Sequence, residues 1–120
     1  MRIFKSREFV KFARREEIKD EKFIEVIRDM EAGLINANYG GGVIKQRIAR
    51  LNEGKSTGYR SIILYRQAEK AFFIYGFAKN EKDSIDKTQE RDFKKLAKVL
   101  FAATDQQLKA LLEKGSFEEV

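Results

Sequence analysis

The chain predicts a compact single domain of the α+β class spanning residues 1–120. It consists of an antiparallel sheet, made of a short N-terminal strand and a three-stranded meander, flanked by two N-terminal helices and by C-terminal helices. Three observations predict this arrangement. Apolar residues recur at helical spacing as far as Met30, they alternate as in strands from Val43 to Lys79, and the helical spacing returns from Phe93. The 120 residues, 42% of them apolar, suffice for one modest core and not for two.

Met1 to Lys5 alternates weakly, as a short edge strand does. Ser6 then offers an N-cap for a helix with Phe9, Phe12 and Ala13 on one face. Asp20 stands where it can cap a second helix carrying Phe23, Val26, Ile27 and Met30, and Gly33 fits the position just past its end. The triplet Gly40, Gly41, Gly42 opens a strand, VIKQRIAR, in which Ile44 and Ile48 alternate with Lys45 and Arg47. The loop LNEGKSTG, the strand YRSIILYR, a tight turn in QAEK and the strand AFFIYGFAK complete the meander. After the polar segment NEKDSID, a stripe of Phe93, Leu96, Ala97, Leu100 and Phe101 marks a helix. Thr104 with Gln107 forms a capping box for a last helix bearing Leu108, Leu111 and Leu112, closed by Gly115.

A two-residue hairpin centred on Ala68 and Glu69 would pair Gln67 with Lys70. In that register Arg60 lies opposite Phe77, Ile62 opposite Tyr75 and Leu64 opposite Phe73. Arg60, Tyr75, Phe77 and Lys79 then share one face, which Lys45 and Arg47 join from the neighbouring strand. The other, more apolar face receives Ile63, Phe72, Ile74, Gly76 and Ala78. Lys45, Arg47, Lys55, Arg60 and Lys79 thus form a cationic cluster on an open sheet face, with Arg50 beside it and Tyr75 and Phe77 interleaved. No carboxylate occurs from Val43 to Arg50 or from Lys55 to Gln67, so the cluster lacks local neutralisation.

The formal charge is +6, which favours polyanions, nucleic acid first. Cys and His are both absent, which excludes disulfides, thiolate metal sites and the usual neutral-pH base. The acids are dispersed, so neither a metal nor another cofactor is expected. MRIFKSREF has no signal-peptide core, and no run of roughly 18 apolar residues is present to span a bilayer. A cytoplasmic protein without a membrane partner is expected.

A phosphodiester suits such a cluster, because Arg offers a fork of donors, Lys a mobile charge and aromatic rings a surface for unstacked bases. Cleaving RNA without a metal uses the 2′-hydroxyl as nucleophile. The site must then supply a proton acceptor, cationic stabilisation at phosphorus and a proton donor for the 5′-oxygen. Lys55 or Lys79, crowded by other cations, can exchange protons. Tyr75, Glu81 and Glu90 are further acid/base candidates.

The order KQRIAR, GKSTGYRSIILY, FFIYGFAKNE, a helix with Glu90 and a final EV resembles the RelE/ParE superfamily of toxins from type II toxin–antitoxin systems, close to its RelE and HigB-like branch. The resemblance covers Gly42 to Val120 well and the preceding helices loosely. It implies a metal-independent mRNA endoribonuclease, an mRNA interferase acting on the ribosome and inhibiting translation, held inactive by a cognate antitoxin of helix-turn-helix or RelB/HigA-like type. Matched by position, Arg60 fits the arginine that binds the scissile phosphate, Lys55 a basic loop residue and Lys79 the basic residue ending its strand. Lys45 and Arg47 fit basic strand positions. Relatives in the RelE branch use a C-terminal Tyr and HigB-like ones a His as acid/base, whereas this chain has no His and no Tyr after Tyr75. Two other classes stay open on the same residues: a non-catalytic toxin that blocks gyrase or the ribosome, and a plain RNA-binding module. The stripe of the last helix, Leu108, Leu111 and Leu112, is either core or a surface for the antitoxin.

Overall fold

Ser6 closes strand β1 (Arg2–Ser6) and opens helix α1 (Arg7–Arg15). Its Oγ accepts from the Phe9 N–H at 3.1 Å and donates to the Ile74 carbonyl at 2.9 Å, so one hydroxyl caps the helix and ties it to the sheet. A computed structural model describes residues 1–49, 58–78 and 84–120 of the chain. Expectations for Arg50, Lys55, Lys79 and Glu81 lie outside these described residues.

Helix α2 (Asp20–Glu31) starts one residue earlier than Asp20 suggested, with Lys19 in the cap position. The Asp20 carboxylate instead takes the Lys5 ammonium at 2.6 Å, which allows a lysine only 8% exposed to sit beneath the helix. Gly33, at φ +88°, ends α2 as expected: Leu34 N–H reaches the Asp29 carbonyl at 2.8 Å and Gly33 N–H that of Met30 at 3.0 Å.

The remaining elements are β2 (Ala37–Gly40), β3 (Val43–Ile48), β4 (Tyr59–Arg66), β5 (Lys70–Ala78), α3 (Lys87–Ala102), α4 (Asp105–Glu113) and β6 (Phe117–Glu119). They build a six-stranded sheet in the order β2-β3-β4-β5-β1-β6. The meander β3-β4-β5 is antiparallel as predicted. β1, however, is interior, running parallel to β5 and antiparallel to β6, so it is not an edge strand. β2 and β6 were not predicted, and the glycine triplet turns β2 into β3 instead of simply opening a strand.

The β4–β5 turn corrects the predicted hairpin. Arg66 pairs with Lys70 around a three-residue loop, 67–69, in which Ala68 takes φ +65°. Leu64 accordingly faces Phe72, not Phe73. A bulge at Ile74 then shifts the register by one, and Ile62 faces Tyr75 and Arg60 faces Phe77 as predicted. Phe72 and Ile74 move to the opposite face from the one expected, while Ile63, Gly76 and Ala78 keep theirs.

Both faces are covered. α1 and α2 lay Phe9, Phe12, Phe23 and Ile27 over Ile44, Ile48, Ile63 and Phe73. α3 and α4 lay Ala97, Leu100 and Leu108 over Val43, Ile62, Leu64 and Phe72. The expectation of an open cationic face therefore fails over the centre of the sheet, where β-branched and aromatic residues on both sides of each strand seat helices on both sides. The Leu108, Leu111 and Leu112 stripe belongs to this second core.

Gly76 sets the spacing between α1 and β5, since a Cβ there would stand 2.4 Å from the Phe12 ring. Gly76→Ala is expected to destabilise the fold by about 1–3 kcal/mol through overpacking, measured by urea denaturation. At the sheet's far edge Arg2 holds Glu119 through two hydrogen bonds, at 2.9 and 3.0 Å. This contact lowers the Glu119 pKa from its ordinary 4.5, with burial opposing it. A depressed carboxylate stabilises the fold above its unfolded pKa, and the contribution is lost as pH falls through the folded value. Because the pair is partly exposed, Glu119→Gln is expected to cost no more than about 1 kcal/mol at pH 7. Thermal melts at descending pH should show that difference vanishing below the carboxylate range.

Candidate nucleic-acid interface

β3 and β5 end and β4 begins at one end of the sheet, where Ile48 pairs with Tyr59 and Tyr59 with Ala78. One residue further in, a continuous row crosses the three strands: Arg47 opposite Arg60, and Arg60 opposite Phe77. Two residues beyond it runs Lys45, Ile62 and Tyr75. Odd and even positions alternate across a strand, so these six residues share the α3 side of the sheet. The row between them, Gln46, Ser61 and Gly76, points to the α1 side.

The structure thus brings Lys45, Arg47, Arg60, Tyr75 and Phe77 together, as the sequence indicated, but in a corner and not on an open face. Arg47 is exposed and Lys45 half-buried. Arg60 is only 5% exposed, and its Nη1 donates to the Tyr59 carbonyl at 3.3 Å. Phe77 is buried behind Tyr75, with ring centroids 5.6 Å apart, and Phe93 of α3 extends the aromatic wall at 6.2 Å from Tyr75.

Glu90 lies one turn before Phe93 on α3, and its Oε2 accepts from Lys94 at 3.2 Å. Its carboxylate is engaged by that lysine, whose stem lies against the β2–β3 turn at Gly41. No carboxylate occurs in β3, β4 or β5, so cations on these strands are not neutralised from within them. Among the described residues no three His, Cys, Asp or Glu side chains converge as a metal would need.

Sequence reasoning missed what holds Arg47 in place. Gln46, 4% exposed, donates from Nε2 to the Leu34 carbonyl at 2.7 Å and accepts the Asn36 N–H at 3.0 Å. Asn36 Oδ1 in turn accepts from the Arg47 N–H at 2.7 Å. The connection from α2 is thereby clamped to β3 directly behind the arginine. A polar Gln on the strand face that carries Ile44 and Ile48 was the signal available for this clamp.

The domain is small, basic and of the α+β class, and its strands bring Arg47 and Arg60 beside an aromatic wall. The family model described as the RelE toxin of the RelE / RelB toxin-antitoxin system matches residues 1–120. The chain belongs to that family: it is of the toxin type, and an antitoxin is its implied partner. A comparison with curated proteins finds no match. Among the described residues no helix is long and apolar enough to cross a membrane.

Like charges directly opposite on neighbouring strands are destabilising. Arg47→Gln is therefore expected to raise stability by about 0.5 kcal/mol in urea denaturation while weakening binding to heparin, a polyanion probe, in salt elution.

Proposed function

We propose that the chain is a metal-independent endoribonuclease that cuts translated mRNA at the ribosome in the cytoplasm and so inhibits translation. The observation that carries this is the Arg47–Arg60–Phe77 row lying against Tyr75, with cations for a phosphate and rings for the flanking bases in one corner. In the reaction the 2′-hydroxyl gives its proton to solvent water as its oxygen bonds to phosphorus, and the bond from phosphorus to the 5′-oxygen breaks, leaving a cyclic phosphate and a 5′-oxygen that takes up a proton to become a free hydroxyl. Arg60 grips the phosphate and steadies the added negative charge, with Arg47 and Lys45 enlarging the field. Lys55 and Lys79 complete the cationic set. An arginine does not give up its proton at ordinary pH, so it cannot take the one from the 2′-hydroxyl.

Tyr75 is the acid/base candidate that stands in the corner, and its hydroxyl supplies the proton to the departing 5′-oxygen. Glu90, held by Lys94, is the weaker choice. Mapping mRNA 5′ ends after brief induction in cells tests these roles. Wild type is expected to leave sharp ends. Arg60→Lys, which keeps a charge but loses the fork, should cut at least about tenfold more slowly, roughly the 1.4 kcal/mol of one charge-assisted hydrogen bond. Tyr75→Phe should fall about 10²- to 10⁴-fold while keeping its melting temperature. Growth arrest without any cut ends, in cells or on purified translating ribosomes, would instead favour a toxin that only binds its target.

A further inference from the structure

The pairing of β1 with β5 stops at Lys5 and Phe73, because the chain leaves β1 at Ser6 to enter α1. From Tyr75 onward β5 pairs with β4 on one side only, among the described residues. Phe12 of α1 rests on Gly76 there, and the gap between helix and strand edge forms a cleft of about 240 Å³ lined by Glu8, Lys11, Phe12, Arg15, Tyr75 and Gly76. This is smaller than the ~300–1,000 Å³ of a drug-sized pocket and fits one nucleotide better than a folded ligand.

The cleft has a direction. Phe12 meets Tyr59 edge-on at 5.5 Å and the Tyr59 hydroxyl donates to Glu16 at 2.8 Å, so the C-terminal end of α1 lies at the Arg60 end of the sheet. Arg15 is therefore nearest the proposed cleavage corner, Lys11 follows one turn back, ~6 Å along the axis, and Glu8 stands furthest away. All three side chains are exposed. The Arg15 guanidinium lies over the Phe12 ring at 5.7 Å, and its Nε donates to the Glu16 carboxylate at 3.4 Å, a contact that a phosphate would compete with. Tyr75 belongs both to this cleft and to the corner.

We propose that this cleft is a subsite for single-stranded RNA, taking the one or two nucleotides that continue from the cleavage corner over the edge of β5. It rests on the nuclease reading. Arg15 and Lys11 hold successive phosphates, Tyr75 stacks against the base that turns the edge, and the Glu8 carboxylate ends the track by repelling the next phosphate.

The test uses fluorescence anisotropy of the full chain with labelled, uncleavable 2′-O-methyl RNA hexamers over a range of salt. The double variant Lys11→Ala/Arg15→Ala is expected to bind more weakly, with a salt slope shallower by about 1.4, the loss of two single-strand phosphate contacts. Glu8→Gln is expected to bind more tightly than wild type, a gain that general damage to the fold would not produce. If both leave affinity and slope unchanged while Arg60→Lys weakens binding, the subsite is wrong and the nuclease reading stands. If the wild type binds no hexamer, both fail. If the double variant loses only an acidic peptide probe and keeps RNA, the cleft serves a protein and the proposal is overturned.

Discussion

At Ile74 three features of the chain change together. Its carbonyl accepts from Ser6, where β1 gives way to α1; its neighbour Phe73 is the last residue of β5 paired with β1; and the extra residue it contributes shifts the β4–β5 register. A β-strand normally sends consecutive side chains to opposite faces, but the bulge sends Ile74 and Tyr75 to the same one. Without it Tyr75 would join the α1 side and Phe77 would leave Arg60. The aromatic wall and its meeting with Arg60 depend on this one irregularity, while β3–β4 pairing alone sets Arg47 against Arg60.

Its presence also explains what could be read from the sequence. Most capping was legible because it is local: Ser6, Gly33, the Thr104–Gln107 box and Gly115 perform as their positions suggested, whereas Asp20 is drawn to Lys5 and does not cap α2. The register at Arg60 came out as predicted only because two departures cancel, a turn one residue longer than supposed and a strand one residue longer opposite it. Between the two, from Phe72 to Ile74, the faces of β5 are reversed, while Leu64 keeps its face and changes only its partner. β2 and β6 escaped notice because ANYG and FEE are too short to show alternation. The parallel placement of β1 is a long-range property that no local pattern encodes. Of the candidate site, the strand residues were legible, since alternation assigns them to a face, while the depth of Arg60 is a tertiary property that alternation does not report.

The sheet is buried on both sides, yet its end carries charge. Ala97 and Leu100 cover the middle of the α3 side, and Phe93 is the stripe residue that reaches Tyr75. Beyond that ring the apolar cover gives way to Arg47 and Arg60, facing one another across neighbouring strands. Such an arrangement opposes folding by like-charge repulsion, and the clamp of Gln46 and Asn36 on β3 is the kind of compensation that keeps it in place.

The residue inventory then constrains what kind of catalyst this corner can be. With no His in the chain, no side chain has an ordinary pKa between 5 and 8, so the usual imidazole base is absent. A phenol is a poor base but a competent donor to an alkoxide, which is far more basic. On the proposed chemistry the larger share of rate enhancement therefore falls to Arg60 and its neighbouring cations, fixed before the phosphate arrives and stronger where water is excluded. The near-burial of Arg60 fits that assignment: a guanidinium already held by the strand backbone pays little reorganisation when charge develops at phosphorus.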